Sequence, residues 1–303
     1  MVSVMLILFF LFHAANAGAG PAEEYLERGV RRAEAGDYHG AINDFSRSIS
    51  LRPKNPNAFY NRGLARGFTG NLKGAISDYS RAIALEPKGV AAYNNRGYIK
   101  AALGQFPAAI ADITKAIALA PSVPELYNNR GAVRNSMKDY RGAVADFDKA
   151  LQLDPNIAGV YNNRGLAKSF LGDMHGAIED YSRSVTLDQR YTAAWYNRGN
   201  AKVSIGDAQG AADDYSKAIV LDPKMLLAWN NRAFARLRMG DYAGAISDLG
   251  VVISNAPDNP LGWYNRGVAK KLSGDRIGAG QDLKRAAALG DSLAVEVLKE
   301  LQQ

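Results

Sequence analysis

Arginine and aspartate recur along this chain at a spacing that suits ion pairing. Eight arginines stand 34 residues apart, and each is followed 16 residues later by an aspartate. A second cation stands four residues after each arginine, on the same face if the segment is helical. The arginines are Arg28, Arg62, Arg96, Arg130, Arg164, Arg198, Arg232 and Arg266, and the aspartates are Asp44, Asp78, Asp112, Asp146, Asp180, Asp214, Asp248 and Asp282. The second cations are Arg32, Arg66, Lys100, Arg134, Lys168, Lys202, Arg236 and Lys270.

An asparagine immediately precedes seven of these arginines. The seven are Asn61, Asn95, Asn129, Asn163, Asn197, Asn231 and Asn265. A side-chain amide can donate to a backbone carbonyl and accept from a backbone N–H, so a column of amides can hold an extended peptide whatever its side chains are. The alternative is that the amides tie one repeat to the next by hydrogen bonds to helix termini.

Residues for catalysis or metal binding are sparse. Of the three histidines, His13 lies in an apolar N-terminal run, while His39 and His175 lie four repeats apart. With no cysteine in the chain, neither a metal site nor an acid–base cluster is expected. The sequence also has no phosphate-binding glycine loop. We therefore predict a protein that is not an enzyme and has no cofactor and no metal.

The elements that position these residues are helical hairpins. Between positions 57 and 87, apolar residues follow a helical spacing, break at Gly70-Asn71, resume from Ala75 and end at Pro87. The same helix–turn–helix pattern repeats eight times without insertions. Single hairpins of this size cannot bury a face alone, so the repeats must stack in a line around a shared core. The sequence thus predicts an all-α solenoid.

Small residues and turn signals punctuate each repeat. Seven turns carry Gly followed by Asp, Asn or Gln, as at Gly36-Asp37, and Lys138-Asp139 is the exception. Glycine there can adopt a left-handed conformation, and aspartate can cap the next helix. The second helix of each repeat has an alanine at one fixed position, such as Ala41, and in seven repeats a glycine precedes this alanine. We expect these small side chains to let helix axes approach closely.

The pattern resembles the tetratricopeptide repeat (TPR) family over some 270 residues. The residues that carry the resemblance are an aromatic such as Tyr93, a glycine four residues later, the alanine, a large apolar residue four beyond it and a closing proline such as Pro121. The resemblance implies a right-handed α-α superhelix (TPR solenoid) of eight helix-turn-helix repeats whose first helices line a concave groove. An amphipathic stretch at 292–303 is expected to be a C-terminal capping helix. The expected repeats are about 22–55, 56–89, 90–123, 124–157, 158–191, 192–225, 226–259 and 260–291, within a repeat region of 18–291.

Against this family pattern, the eight arginines occupy a helix-packing position where leucine is usual. An unpaired buried guanidinium would be unfavourable by several kcal/mol, so the aspartates are expected to pair with them as structural ion pairs, Arg62 with Asp78 for example. A ligand-binding role for the arginines, or a basic stripe formed by the second cations, is the alternative. The resemblance places the seven asparagines toward the groove. Further groove residues expected to bind a ligand are Asn94, Asn128, Asn162, Asn230, Tyr60, Tyr196 and Tyr264.

The N-terminus suggests export. An apolar run over 2–12, followed by Ala15-Asn16-Ala17, predicts a signal peptide at 1–17, too short to span a membrane and cleaved after Ala17; the alternative is an uncleaved anchor. The mature protein is then periplasmic or secreted, without a transmembrane span. The formal charge of +7 favours an acidic partner.

The predicted function is a non-enzymatic scaffold for protein–protein interaction that binds an extended peptide or protein segment in its groove. The alternative is a carbohydrate-binding accessory in envelope polysaccharide handling. Binding of nucleic acid through the basic column is a third hypothesis, which export argues against. Neither the partner's identity nor the oligomeric state follows from the sequence.

Overall fold

Helical runs broken at regular turns fold into helix pairs in this computed structural model, which describes residues 20–302. The expected signal peptide at 1–17 lies outside the described residues. The helices are α1 (Pro21–Glu34), α2 (Tyr38–Leu51), α3 (Pro56–Phe68), α4 (Leu72–Leu85), α5 (Val90–Ala102), α6 (Phe106–Leu119), α7 (Pro124–Ser136), α8 (Tyr140–Leu153), α9 (Ala158–Phe170), α10 (Met174–Leu187), α11 (Thr192–Ser204), α12 (Ala208–Leu221), α13 (Leu226–Arg238), α14 (Tyr242–Asn255), α15 (Pro260–Ser273), α16 (Arg276–Ala288) and α17 (Ser292–Gln302).

The all-α prediction is confirmed. Helices α1 to α16 form eight hairpins, in each of which an odd-numbered helix packs against the even-numbered helix that follows it. The chain divides into two compact units, the first extending to Asn156 and the second beginning at Ile157. The first unit contains α1 to α8, and the second contains α9 to α17.

The even-numbered helices begin at side-chain caps. In seven of the eight, an Asp or Asn accepts a hydrogen bond from the amide of the glycine three residues on, as Asn71 does from Gly74 at 3.0 Å. A Cβ added to Gly74 would lie 2.7 Å from Asn71 Oδ1. The one remaining even-numbered helix of the eight, α6, follows Gln105 and has Ala108 in place of the glycine, and it lacks a side-chain cap. These glycines therefore make room for the cap. The sequence pattern alone had predicted that they let the helix axes approach closely.

The core of each hairpin combines alanines with one large side chain. Ala211 and Tyr215 are buried on α12, and a Cβ added to Gly199 of α11 would lie 2.7 Å from the Tyr215 ring. Where Ala233 replaces this glycine in α13, the facing residue on α14 is the smaller Leu249. At this one pair, the larger residue on α13 is offset by a smaller one on α14, as close packing requires.

The last helix covers the end of the second unit. Ala294 of α17 is buried against Leu283 of α16, and Leu298 packs against the same cluster. Lys271 of α15 also forms an ion pair with Glu300 at 2.6 Å. Between positions 20 and 302, every helix is too short or too polar to cross a bilayer.

Candidate binding surfaces

Each arginine of the 34-residue series forms a two-pronged ion pair inside its own repeat. Arg62 donates from Nε to Asp78 Oδ2 at 2.9 Å and from Nη2 to Oδ1 at 2.7 Å. The Nη2–Oδ1 distances in the eight pairs lie between 2.5 and 2.8 Å. All eight aspartates are buried. Two parallel hydrogen bonds fix the relative rotation of the two helices as well as their distance.

The second cation of each repeat binds the same carboxylate. Arg66 lies 2.7 Å from Asp78, and the other seven cation–carboxylate distances are between 2.7 and 2.9 Å. At Asp282, burial opposes ionisation, but hydrogen bonds from Arg266 and Lys270 outweigh it and lower the pKa of the carboxyl below its ordinary value. Each repeat thus keeps one surplus positive charge, held beside a buried carboxylate.

All eight arginines also lie against an aromatic ring, and five of them donate to a hydroxyl of the preceding repeat. Arg62 donates from Nη1 to Ser46 Oγ at 3.1 Å, and the same contact joins Arg198 to Ser182 at 3.0 Å. Each guanidinium carbon lies 4.7 to 5.9 Å from the centre of the aromatic ring three residues earlier. Where all three groups are present, the carboxylate, the hydroxyl and the ring together contact most of the guanidinium group. This geometry fits a structural role.

The asparagine series lies between neighbouring odd-numbered helices. Asn129 donates from Nδ2 to Asn94 Oδ1 at 2.9 Å, and Asn95 donates to Tyr60 Oη at 3.0 Å. The same bond to the residue 35 positions earlier joins Asn197 to Asn162 at 2.9 Å. Successive repeats are therefore linked through side-chain amides rather than through helix termini.

This placement corrects the expectation that the whole series faces an open groove. Ten of the fourteen expected ligand-binding residues are buried, with exposed fractions of 0 to 7%: Asn61, Asn95, Asn129, Asn163, Asn197, Asn94, Asn128, Asn162, Tyr60 and Tyr196. The physical reason is that adjacent first helices pack side by side and enclose these positions. A buried amide is stable there only when it is hydrogen-bonded.

The remaining four expected residues come together around one cavity of the second unit. Asn230, Asn231, Tyr264 and Asn265 are partly exposed, and Asn265 donates to Asn230 Oδ1 at 2.8 Å. They line a cavity of about 600 Å³, which we call the distal cavity, together with Ala233, Phe234, Leu237, Arg238, Leu249, Val268 and Leu272.

Large apolar side chains are exposed at and beside the distal cavity. Phe234 is 51% exposed and Leu272 53%, and both line the cavity. Leu227 and Leu261, each seven residues before a lining residue on the same helix, are also exposed. None of Leu227, Leu261 and Leu272 was among the ligand-binding residues expected from the sequence. For Leu227 and Leu261 a sequence signal existed, because the first six repeats have Glu, Asn, Ala, Glu, Gly and Ala at the position where the last two have leucine.

The first unit has a larger cavity at the beginnings of α3, α5 and α7. This proximal cavity measures about 690 Å³ and is lined by Pro56, Asn57, Tyr60, Ala82, Glu86, Lys88, Gly89, Val90, Ala91, Ala92, Ala120, Val123 and Glu125. Its walls are mostly small and apolar, and its charged residues are two carboxylates and one ammonium. No cluster of three or more His, Asp or Glu within 20–302 is placed to hold a metal.

Models of the tetratricopeptide repeat match residues 29–67, 69–104, 90–123, 124–157 and 162–225. The chain belongs to the tetratricopeptide repeat family. A search of curated proteins found no match.

Solved TPR structures share the fold at low sequence identity. The C-terminal part of a TPR protein from Cytophaga hutchinsonii is 15% identical with a TM-score of 0.62, over 78% of this chain and 98% of that one. A TPR protein from Parabacteroides merdae is 20% identical with a TM-score of 0.52, over 93% and 99%. YrrB, described as a TPR protein with an unusual peptide-binding site, is 20% identical with a TM-score of 0.50, over 61% and 95%.

Proposed function

We propose that this TPR protein is a non-enzymatic scaffold that binds an extended segment of another protein on its odd-numbered helices. The observation that carries the proposal is the group of exposed apolar side chains around the distal cavity, formed by Leu227, Phe234, Leu261 and Leu272. Large apolar side chains clustered beside a cavity are typical of interaction sites. Membership of a repeat family whose members bind proteins, and the likeness to a TPR structure described as having a peptide-binding site, support the same function.

The polar groups at the distal cavity suit an acidic partner segment. Arg238 is the one charged side chain among the lining residues, and it is exposed. The partly exposed amides of Asn230, Asn231 and Asn265 are close enough to the surface to hydrogen-bond a bound backbone. We therefore expect a segment that inserts apolar side chains between α13 and α15 and places a carboxylate near Arg238. The net charge of +7 adds long-range attraction for such a segment.

A photo-crosslinking experiment tests this proposal. A photoreactive phenylalanine analogue is placed at position 234, and at position 220 as control, because Val220 is 77% exposed but does not line the cavity. We expect a discrete protein adduct from position 234 and none from position 220, and loss of the adduct when Leu272→Ser is added. Equal adducts at both positions would refute the distal cavity as the binding site, provided that circular dichroism shows both variants folded.

The carbohydrate-binding hypothesis receives no specific support. Two of the three expected groove tyrosines, Tyr60 and Tyr196, are buried and accept hydrogen bonds from asparagines of the following repeat. Stacking on a sugar requires an accessible ring face.

Export remains a proposal that rests on the apolar run at 2–12 and the small residues that follow it. Its test is the intact mass of protein recovered from its native host. We expect a mature chain that begins at Gly18 and is recovered outside the cytosol. A full-length chain found only in the cytosol would refute export.

A further inference from the structure

We infer that the proximal cavity receives one bulky apolar side chain of a partner segment, and that a basic residue beside it pairs with Glu86 and Glu125. This inference rests on the proposed function, because it assumes that the protein binds protein segments. It adds a second recognition site, in the other compact unit, with the opposite charge preference.

The size of the proximal cavity follows from small residues in its walls. Ala82, Ala91, Ala92 and Ala120 line it together with Gly89. In the seventh repeat, the positions equivalent to Gly89 and Ala91 carry Met225 and Leu227. Side chains of that size in place of Gly89 and Ala91 would narrow the proximal cavity. A volume of about 690 Å³ is within the range of ligand-binding cavities and is large enough for an aromatic side chain.

The apolar wall and the open space favour a side chain that is itself apolar. Val90 and Val123 line the cavity with the alanines, and the polar groups lie mainly on Asn57 and the charged residues. An aromatic side chain would bury a large apolar area there, and such side chains dominate the energetics of protein interfaces.

The charged lining residues give the cavity a negative balance. Glu86 and Glu125 contribute two carboxylates against the single ammonium of Lys88. Among the ion pairs of residues 20–302, none involves these three side chains. A basic residue of the partner would restore neutrality. This preference is opposite to that expected from the net charge of +7, so local and global electrostatics predict different outcomes.

The test uses three fluorescein-labelled nonapeptides with a central tryptophan flanked by lysines, serines or glutamates. Each is titrated with the full chain at about 0.15 M salt, where long-range charge effects are screened beyond about 8 Å, and binding is followed by fluorescence anisotropy. The variants are Ala91→Leu, which reproduces the leucine of the seventh repeat, and the double variant Glu86→Gln with Glu125→Gln. Ala118→Leu is the control, because Ala118 is exposed on α6 and does not line the cavity.

We expect the lysine-flanked peptide to bind about tenfold more tightly than the glutamate-flanked one, a difference of about 1.4 kcal/mol. The double variant should reduce this preference to about threefold or less. Ala91→Leu should weaken binding of the lysine-flanked peptide about tenfold, and Ala118→Leu should not change it. Circular dichroism checks that each variant is folded.

Three results would overturn the inference. The first is equal or tighter binding of the glutamate-flanked peptide, and the second is undisturbed binding to a folded Ala91→Leu variant. The third is a change from dimer to monomer on Ala91→Leu in sedimentation, which would make a second copy of the chain the occupant. Loss of peptide binding on Phe234→Ser but not on Ala91→Leu would refute this inference alone and leave the proposed scaffold function standing.

Discussion

Asn197 donates a hydrogen bond from Nδ2 to Asn162 Oδ1 at 2.9 Å, and this bond joins the first helices of two successive repeats. Both side chains are buried. The amides of this series are consequently part of the framework, and binding depends on the apolar side chains that the framework leaves exposed.

Asn197→Ala should destabilise the fold without preventing binding at the distal cavity. The substitution leaves Asn162 Oδ1 without its hydrogen-bond donor in a buried site, and we expect a loss of about 1–3 kcal/mol in the free energy of unfolding. Urea denaturation measures this loss. Asn43→Ala, at an exposed position of α2, serves as the control and should change stability by less than about 0.5 kcal/mol. Equal effects of the two substitutions would contradict the framework role.

Two adjacent aspartates on α12 allow the effect of losing a buried ion pair to be compared with that of losing a surface charge. Asp214 is buried and receives Arg198 and Lys202, whereas Asp213 is exposed. Asp214→Asn should lower the free energy of unfolding by about 3–5 kcal/mol, because two cations lose their shared carboxylate. Asp213→Asn should have little effect. Thermal and chemical denaturation of the two variants give the comparison, and a stable Asp214→Asn protein would show that the pairs are dispensable.

Stability should fall in acid because the pKa of Asp282 is lowered by its hydrogen bonds to Arg266 and Lys270. For a carboxyl whose pKa is lower in the folded than in the unfolded state, the stabilisation is complete above the unfolded value of about 3.9 and is lost as the pH falls through the folded value. Denaturation of wild type and Asp282→Asn between pH 7 and pH 2 tests this. The difference in stability between the two proteins should shrink below about pH 4. A difference that stays constant across this range would exclude the linkage.

Lys138 has a φ of 64°, in the turn where the other seven repeats have glycine with positive φ. A side chain with a Cβ at this φ is unfavourable by about 1–2 kcal/mol. Glycine removes this penalty, but it costs about 0.5–1 kcal/mol in chain entropy on folding, which partly offsets the gain. Lys138→Gly should therefore stabilise the protein by roughly 0.5–1 kcal/mol. A rise in the denaturation midpoint measures this effect. Lys138→Ala, which keeps a Cβ, is the matched control and should give no such gain.

Much of the fold was predictable because it repeats. The 34-residue period, the turn signals and the alanine positions predict helical hairpins, and the spacing of 16 residues predicts which aspartate each arginine meets. Arg62 and Asp78 illustrate this, since a buried guanidinium requires a carboxylate and each repeat supplies one at a fixed distance.

The binding surface was less predictable for two physical reasons. Adjacent positions such as Ala233, which is buried, and Phe234, which is exposed, point about 100° apart around a helix, so an error in the assumed rotation of the helix exchanges buried and exposed positions. In addition, a leucine such as Leu272 fits the core pattern as well as the surface, and the packing of its neighbours decides which applies. The cap glycines were misread because their role depends on the side chain of Asn71 or Asp139, which the sequence does not orient.

Partner binding should depend on the exposed apolar face of α13 and α15 and not on the buried amide series. The most direct measurement is the affinity of the segment captured by the crosslink at position 234, determined by anisotropy for wild type, for Phe234→Ser with Leu272→Ser, and for Asn197→Ala. We predict at least about tenfold weaker binding for the double variant and unchanged affinity for Asn197→Ala, with all proteins confirmed as folded at the assay temperature. Unchanged affinity in the double variant, together with loss of binding in a folded Asn197→Ala protein, would contradict this role of the apolar face.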